Sequence, residues 1–467
     1  MPDDGNGLKR QLGLWDAVMI VVGNVIGVGI FTTTGFIVQE IGDVWHVLAV
    51  WVLGGGLTLL GALSYGELGS AFPRAGGDYV YLREAYGPLA GFLVGWIGFF
   101  IINPGSIAAL ALGLSAYLLP LIYGDQVAAP PWLVNLIGLA VILAFSALNY
   151  FSVRWTSRIQ NLVGGLSLMT ILILVTMGLV GGQGQWEHFS LNSGASTLAD
   201  LFGPAMVSVF FTYSGWFVSA YVASEMIEPQ KNLPRSLIIS SLIITLVYVA
   251  VNVIYIYALP LPEMAGVVDI ARRAGAALFG PSAASILAAA VMLAIMSSLN
   301  SVTLTAPRIY FAMAHDGLFP RRLARAHPSR QTPHWAIASQ ALVSCVMVLL
   351  GSFYQLLSFT AFFMLLTSIA TAGGVIVLRL RRPELSRPYK VWGYPFTTVL
   401  FLFAYAWIAA RIFMFNPRDA LIGLLIAISG VPAYLLRRRR MNRLGIMDKF
   451  EDWHASRGSV SQRKTGS

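Results

Sequence analysis

The feature that most constrains this chain is a series of apolar runs, each about 20 residues long and separated by short polar connections. A helix of that length crosses the hydrocarbon core of a bilayer. In lipid only helices and closed barrels satisfy their own backbone groups, and the runs lack the apolar–polar alternation of barrel strands. Charged residues make up 11% of the chain, whereas a soluble domain carries about a quarter. The expected class is therefore an all-α integral membrane protein.

Twelve spans are read, at about 14–41, 45–71, 88–120, 131–149, 156–181, 200–227, 236–259, 283–314, 334–351, 354–378, 394–414 and 418–436. The first run is too long for a signal-peptide core, and Met1-Pro2-Asp3-Asp4 lacks a basic leader, so the N-terminus is expected to be retained. Basic residues follow the even-numbered spans: Arg74 and Arg83, Arg154 and Arg158, Lys231 and Arg235, Arg321 and Arg322, Arg379 and Arg381, then Arg437 to Arg440. Loops 121–130 and 182–199 on the other side contain no Lys or Arg. Positive-inside bias then places both termini in the cytoplasm and the chain in the cell membrane. Arg272, Arg273, Arg411 and Arg418 are exceptions that can snorkel to an interface. The net charge of +10 is thus a topology signal and gives no reason to expect nucleic acid. The single cysteine, Cys345, excludes a disulfide or a Cys-based metal site within the chain.

Val21 to Phe31 carries three glycines and an asparagine inside the first span. Glycine weakens a helix by about 1 kcal/mol relative to alanine, and any backbone group it frees in lipid needs another partner. A break at mid-depth leaves N–H groups on one half-helix and C=O groups on the other, which suits a zwitterion. Close packing through Gly23 and Gly27, spaced G-x-x-x-G, is the alternative. A second interruption, Phe210 to Trp216 with Ser214 and Gly215, falls five spans later. Paired interruptions point to an inverted-repeat transporter with its site at the repeat interface. A short surface helix is expected in the loop Pro260 to Pro281, and a kink at Asn103-Pro104 in span 3.

Three stretches resemble the amino acid–polyamine–organocation (APC) superfamily: Gly23 to Phe31; Tyr213-Ser-Gly-Trp through Glu225-Met-Ile-Glu-Pro-Gln-Lys-Asn-Leu-Pro-Arg-Ser; and Pro307 to Pro320, followed by Thr332-Pro333. Within it, span 6 is most similar to bacterial L-type amino acid transporters. The resemblance implies a LeuT-like fold with a 5+5 inverted repeat and alternating access for amino acids. The organisation expected is a cytoplasmic segment 1–13, repeat 1 over 14–181, repeat 2 over 200–378, peripheral spans over 394–436 and a basic tail 437–467.

Carried over by position, the substrate carboxylate meets N–H groups of Val28, Gly29 and Ile30. The ammonium faces carbonyls from Gly23 to Ile26, with Gly27 beside them, and those of Phe211 and Ser214. Phe211 is the expected gate, Trp216 a pocket wall, and Tyr213 and Gly215 complete the span 6 motif. Where L-type members carry a span 5 lysine, this chain has Ser167. That leaves room for water or for sodium near Ser297 and Ser298, with coupling to sodium or protons left open; Tyr255 resembles a tyrosine that contacts this region. Packing hydroxyls are the alternative for the serines. Asn300 is a further candidate to face the pocket.

Where arginine–agmatine exchangers carry a span 6 glutamate, this chain has Phe217, and no acid lies at mid-depth in spans 1, 3, 6, 8 or 10. A cationic side chain would lack a counter-charge, so neutral L-amino acids are expected, with Phe359, Phe362 and Phe363 of span 10 nearby. Glu67 and Glu225 are expected gate residues within reach of Arg74, Arg235 or Arg308, ordinary interfacial pairing being the alternative. A membrane enzyme is disfavoured because all six histidines lie in connections, span ends or the tail. A non-transporting amino-acid sensor of the same fold is the main rival. No cofactor is expected. The loop Leu121 to Pro130 lacks the cysteine through which animal L-type members join a partner chain, so no disulfide-linked partner is expected; oligomeric state stays open.

Overall fold

The computed structural model describes residues 9–27, 29–123, 130–190, 204–267, 270–280, 282–350, 353–415 and 417–443. Among them ten helices are long and apolar enough to cross a membrane, and the bent pair Leu14–Val25 and Gly29–Ile41 makes an eleventh crossing. His334–Leu350, the ninth span of the sequence, is a shorter apolar helix. Lipid-facing and protein-facing sides follow from burial: Pro131–Phe151 is mostly exposed, whereas Ala205–Glu225 is mostly buried. The spans that enclose the centre of the molecule are therefore 1, 3, 6, 8 and 10, with span 7 packed on span 1 and span 2 packed on span 7.

Span 1 breaks where its glycines predict. The first helix ends at Val25, Ile26 leaves helical geometry at φ −74° and ψ 82°, and the second helix resumes at Gly29 after a bend of 46°. Span 6 breaks after Pro204–Tyr213, through a turn in which Gly215 adopts φ +87°, a region that costs an L-residue dearly. Its inner half, Val218–Glu225, is a 3-10 helix, wound by i−3 bonds such as Ala220 N–H to Phe217 O at 3.0 Å.

Span 3 does not simply kink at Asn103-Pro104. Pro104 has no N–H to continue the α ladder, and the chain opens into a π-turn over Gly98–Ile102. The Asn103 amide donates to Gly98 O at 2.9 Å and to the Tyr310 hydroxyl at 3.0 Å, and so fixes that opening. Two loop helices, Leu261–Met264 and Ile270–Phe279, occupy the connection after span 7. They rest on the outer half of span 1, where Gly266 N–H donates to Gly35 O at 2.9 Å. Another loop helix, Asp78–Tyr86, lies in a stretch that reads as a plain polar connection, and it packs against spans 3 and 10.

Candidate functional site

The two breaks face one another. The Asn24 amide in span 1 donates to Gly215 O in span 6 at 3.0 Å, and a Cβ added at Gly29 would lie 2.9 Å from Thr212. Tyr248 of span 7 ties both halves from behind, donating to Val25 O at 2.7 Å and Thr212 O at 3.0 Å. Between the breaks lies a cavity of about 90 Å³. Span 1 contributes Asn24, Val25, Gly27 and Gly29; span 6 contributes Phe211, Thr212, Ser214, Gly215, Phe217 and Tyr221. Asn103 and Ser106 of span 3, Ser298 and Thr305 of span 8, and Thr360 of span 10 add polar atoms. Among the described lining residues none carries a charge.

Of the expected binding residues, Gly27, Gly29, Phe211, Ser214 and Gly215 line the cavity. Gly23, Ile26 and Ile30 stand behind its wall, all three buried. Val28 and the side chain of Phe359 lie outside the described residues. Tyr213 and Trp216 point elsewhere. The Tyr213 hydroxyl donates to Trp51 O at 2.9 Å, and the Trp216 indole donates to Tyr405 at 3.3 Å while its ring packs on Tyr65. The reversal at Gly215 is the cause: it turns residue 216 toward spans 2 and 11 and presents Phe217 to the chamber instead. From span 10, Thr360 and Met364 reach the cavity, while Phe362 and Phe363 are buried without lining it. The Phe211 carbonyl already accepts from the Ser214 N–H at 3.1 Å and its hydroxyl at 2.7 Å.

The serines of span 8 join a hydrogen-bond chain. Ser298 donates to Gly23 O at 3.0 Å and Ile26 O at 3.4 Å, binding the frayed end of the first half-helix. Asn149 donates to Phe145 O at 2.8 Å and to Asn300 Oδ1 at 3.1 Å; Asn300 donates to Gln160 Oε1 at 2.8 Å; Gln160 donates to Ser297 Oγ at 2.9 Å. The Phe145 carbonyl can only accept, so it fixes each amide in turn and leaves Gln160 presenting N–H toward Ser297. Asn300 is thereby occupied away from the cavity. The hydroxyls of Ser167 and Tyr255 are buried without hydrogen-bond partners among the described residues and do not line the chamber.

Contacts at the basic face close the chamber from one side. Glu225 pairs with Arg308 at 2.8 Å, both fully buried, and the Glu225 carbonyl accepts from Gln11 and Leu12 N–H at 2.8 and 2.9 Å. Glu67 is held by guanidinium groups other than the expected Arg74 and Arg235. It binds Arg379 through two bonds of 2.9 and 2.5 Å, Arg387 at 3.4 Å and the Val391 N–H at 2.8 Å, because the segment after span 10 folds back beneath span 2. At the opposite face the Thr33 and Thr212 hydroxyls meet at 2.8 Å under the loop helices. Asn24, Asn103, Phe217 and Tyr221 are lining residues that sequence reasoning passed over or left unassigned; the asparagines within apolar spans were the available signal.

Interrupted helices that meet across a chamber inside a membrane bundle are the construction of a secondary transporter. The chain belongs to the amino acid permease family, whose model matches residues 12–428. It is accordingly a multi-pass membrane protein of LeuT-like fold that transports amino acids. It is 34% identical over 434 residues to the Asc-type amino acid transporter 1 of Mus musculus, covering 92% of this chain and 81% of that one. It is 34% identical over 455 residues to the large neutral amino acids transporter small subunit 2 of Homo sapiens, covering 93% and 82%. The serine/threonine exchanger SteT of Bacillus subtilis (strain 168) is 30% identical over 444 residues, covering 94% and 99%.

Proposed function

We propose that the protein exchanges small neutral L-amino acids, of the size of alanine, serine and threonine, across the cell membrane, with its basic face and both termini cytoplasmic. The observation that carries this is the small, uncharged chamber between the two breaks. At about 30 Å³ of liquid volume per water, a cavity of about 90 Å³ holds roughly three waters, which favours a small side chain over an aromatic one. Free N–H groups where the second half-helix begins at Gly29 suit the carboxylate, and the carbonyl end of the first half-helix suits the ammonium. A cationic side chain would meet no counter-charge there. The three relatives are transporters, a serine/threonine exchanger among them, which agrees with this class and favours no sensor.

Exchange without a coupling ion is the mode we favour. A hard cation needs oxygen lone pairs, yet the space beside Ser297 receives an amide N–H from Gln160, and the Ser298 hydroxyl already serves the carbonyls of Gly23 and Ile26. These groups are bonded to one another, which supports reading the space as held by protein contacts and not by sodium. The test is uptake of labelled serine into proteoliposomes with and without internal serine, under imposed sodium or proton gradients. Uptake that requires internal serine and is driven by neither gradient is expected. Gradient-driven uptake into empty vesicles overturns exchange, and no movement of any neutral amino acid overturns the substrate class.

A further inference from the structure

One carboxyl group is buried beneath the chamber with hydroxyls, and no described cation, around it. Asp78 opens the loop helix Asp78–Tyr86 and is 2% exposed. Three hydroxyls from three different spans converge on it: Tyr65 of span 2 at 2.5 Å, Tyr221 of span 6 at 2.6 Å and Thr371 of span 10 at 2.8 Å. Tyr221 also lines the cavity, so a single residue separates the chamber from the carboxyl group. The turn before Asp78 is fitted against the same tyrosine. Gly76 N–H donates to Tyr221 O at 3.2 Å, and a Cβ at Gly77, where φ is +45°, would lie 2.2 Å from the Tyr221 ring.

Among the described residues, the surrounding elements supply no positive charge to Asp78. On its own helix, Arg83 binds Asp316 and Glu84, and the Tyr81 hydroxyl has no hydrogen-bond partner. Span 2 offers Glu67, which is held by Arg379 and Arg387 from the end of span 10 and beyond it. Span 6 offers Glu225, held by Arg308. The first helix of span 3, Pro88–Ile97, contains no titratable residue, and from the end of span 10 Arg381 donates to Ala85 O and Arg382 pairs with Glu84. Glu67 and Glu225 thus have guanidinium partners while Asp78 has hydroxyls alone.

We propose that Asp78 is a proton-binding site that latches the basic-side gate. Closing draws its carboxyl group under Tyr65, Tyr221 and Thr371 with a proton taken up; opening hydrates it and returns the proton to the same water. A hydroxyl can accept as well as donate, so the three partners stay engaged when the acid forms, although as donors they favour the carboxylate. No proton crosses the membrane, which is compatible with ion-independent exchange. Burial raises the Asp78 pKa above the ordinary carboxylate value, against the opposing pull of the three hydroxyls. The sign follows: the closed state binds the proton more tightly than the hydrated open state, so acidification of the basic face favours closure and alkalinity favours opening.

The proposal rests on the transporter reading and on a cytoplasmic basic face, and its test separates them. In sided vesicles the pH at each face is varied independently while serine exchange is followed. Hydrogen exchange of 76–86, corrected for intrinsic rate, is followed on the same samples. Expected are exchange and opening that fall as the basic face is acidified, by up to about tenfold per pH unit for a single proton, with little response to the other face. Asp78→Asn should flatten both profiles at the closed level. Thr371→Val removes a donor from the carboxylate and should move the midpoint alkaline by about one pH unit. An unchanged profile in Asp78→Asn overturns the proposal; if that variant does not fold, an unmoved midpoint in Thr371→Val does so. Wild type that carries no serine refutes the substrate class, while its hydrogen-exchange profile still decides the proton site. A response only to the opposite face overturns the orientation.

Discussion

Gly215→Ala is the most searching small change to the site. At φ +87° an L-residue is strained by about 1–3 kcal/mol. The added methyl would sit 2.0 Å from the Asn24 amide nitrogen, which donates to the Gly215 carbonyl itself. Displacing that amide removes a hydrogen bond with a net contribution of about 0.5–1.5 kcal/mol. The combined cost is about 2–4 kcal/mol, and it falls on the joint between the two breaks. If it is expressed in the closed, substrate-holding state, exchange efficiency drops roughly 30- to 1000-fold. Serine counterflow measures the loss, with size-exclusion chromatography to show folded, monodisperse protein. Gly165→Ala, where an added Cβ meets nothing within 4 Å, is the control and should leave transport unchanged. Wild-type counterflow in Gly215→Ala would refute the claim that this strained, asparagine-bonded turn forms the site.

Three further outcomes follow from the same geometry. Glu225→Gln leaves the fully buried Arg308 without its counter-charge and should destabilise the protein by about 3–5 kcal/mol, read as a large fall in thermal midpoint; adding Arg308→Met to that variant should recover much of the loss. Tyr248→Phe removes the bonds to Val25 O and Thr212 O and should weaken serine affinity roughly 5- to 150-fold, for a cost of about 1–3 kcal/mol, in equilibrium binding. Trp216→Phe should lower thermal stability while leaving the KM for serine unchanged, because the indole bonds to Tyr405 behind the chamber; a shifted KM would restore it as a pocket wall.

Both breaks were legible because glycine and small polar residues in an apolar run conflict with the demands of lipid, and a conflict of that kind usually marks a cavity. The loop helix Ile270–Phe279 was equally readable from its length and composition. Which way residues point after a break was not. The side on which Trp216 falls depends on one dihedral at Gly215, and spacing carries no record of it. Ion-pair partners were hidden by distance along the chain: Glu67 and Arg379 are 312 residues apart, and charge sign alone made Arg74 as good a candidate. Asp78 sits in what reads as a polar connection, and only the packing of three spans around it buries it.

The most direct test is an experimental structure with serine bound. The account predicts one serine between the breaks, its carboxylate on N–H groups at the start of Gly29–Ile41 and its ammonium on carbonyls near Val25 and Gly27, with its side chain toward Asn103 and Thr360. Serine found elsewhere, or held at this place by charged side chains instead of main-chain groups, would contradict it.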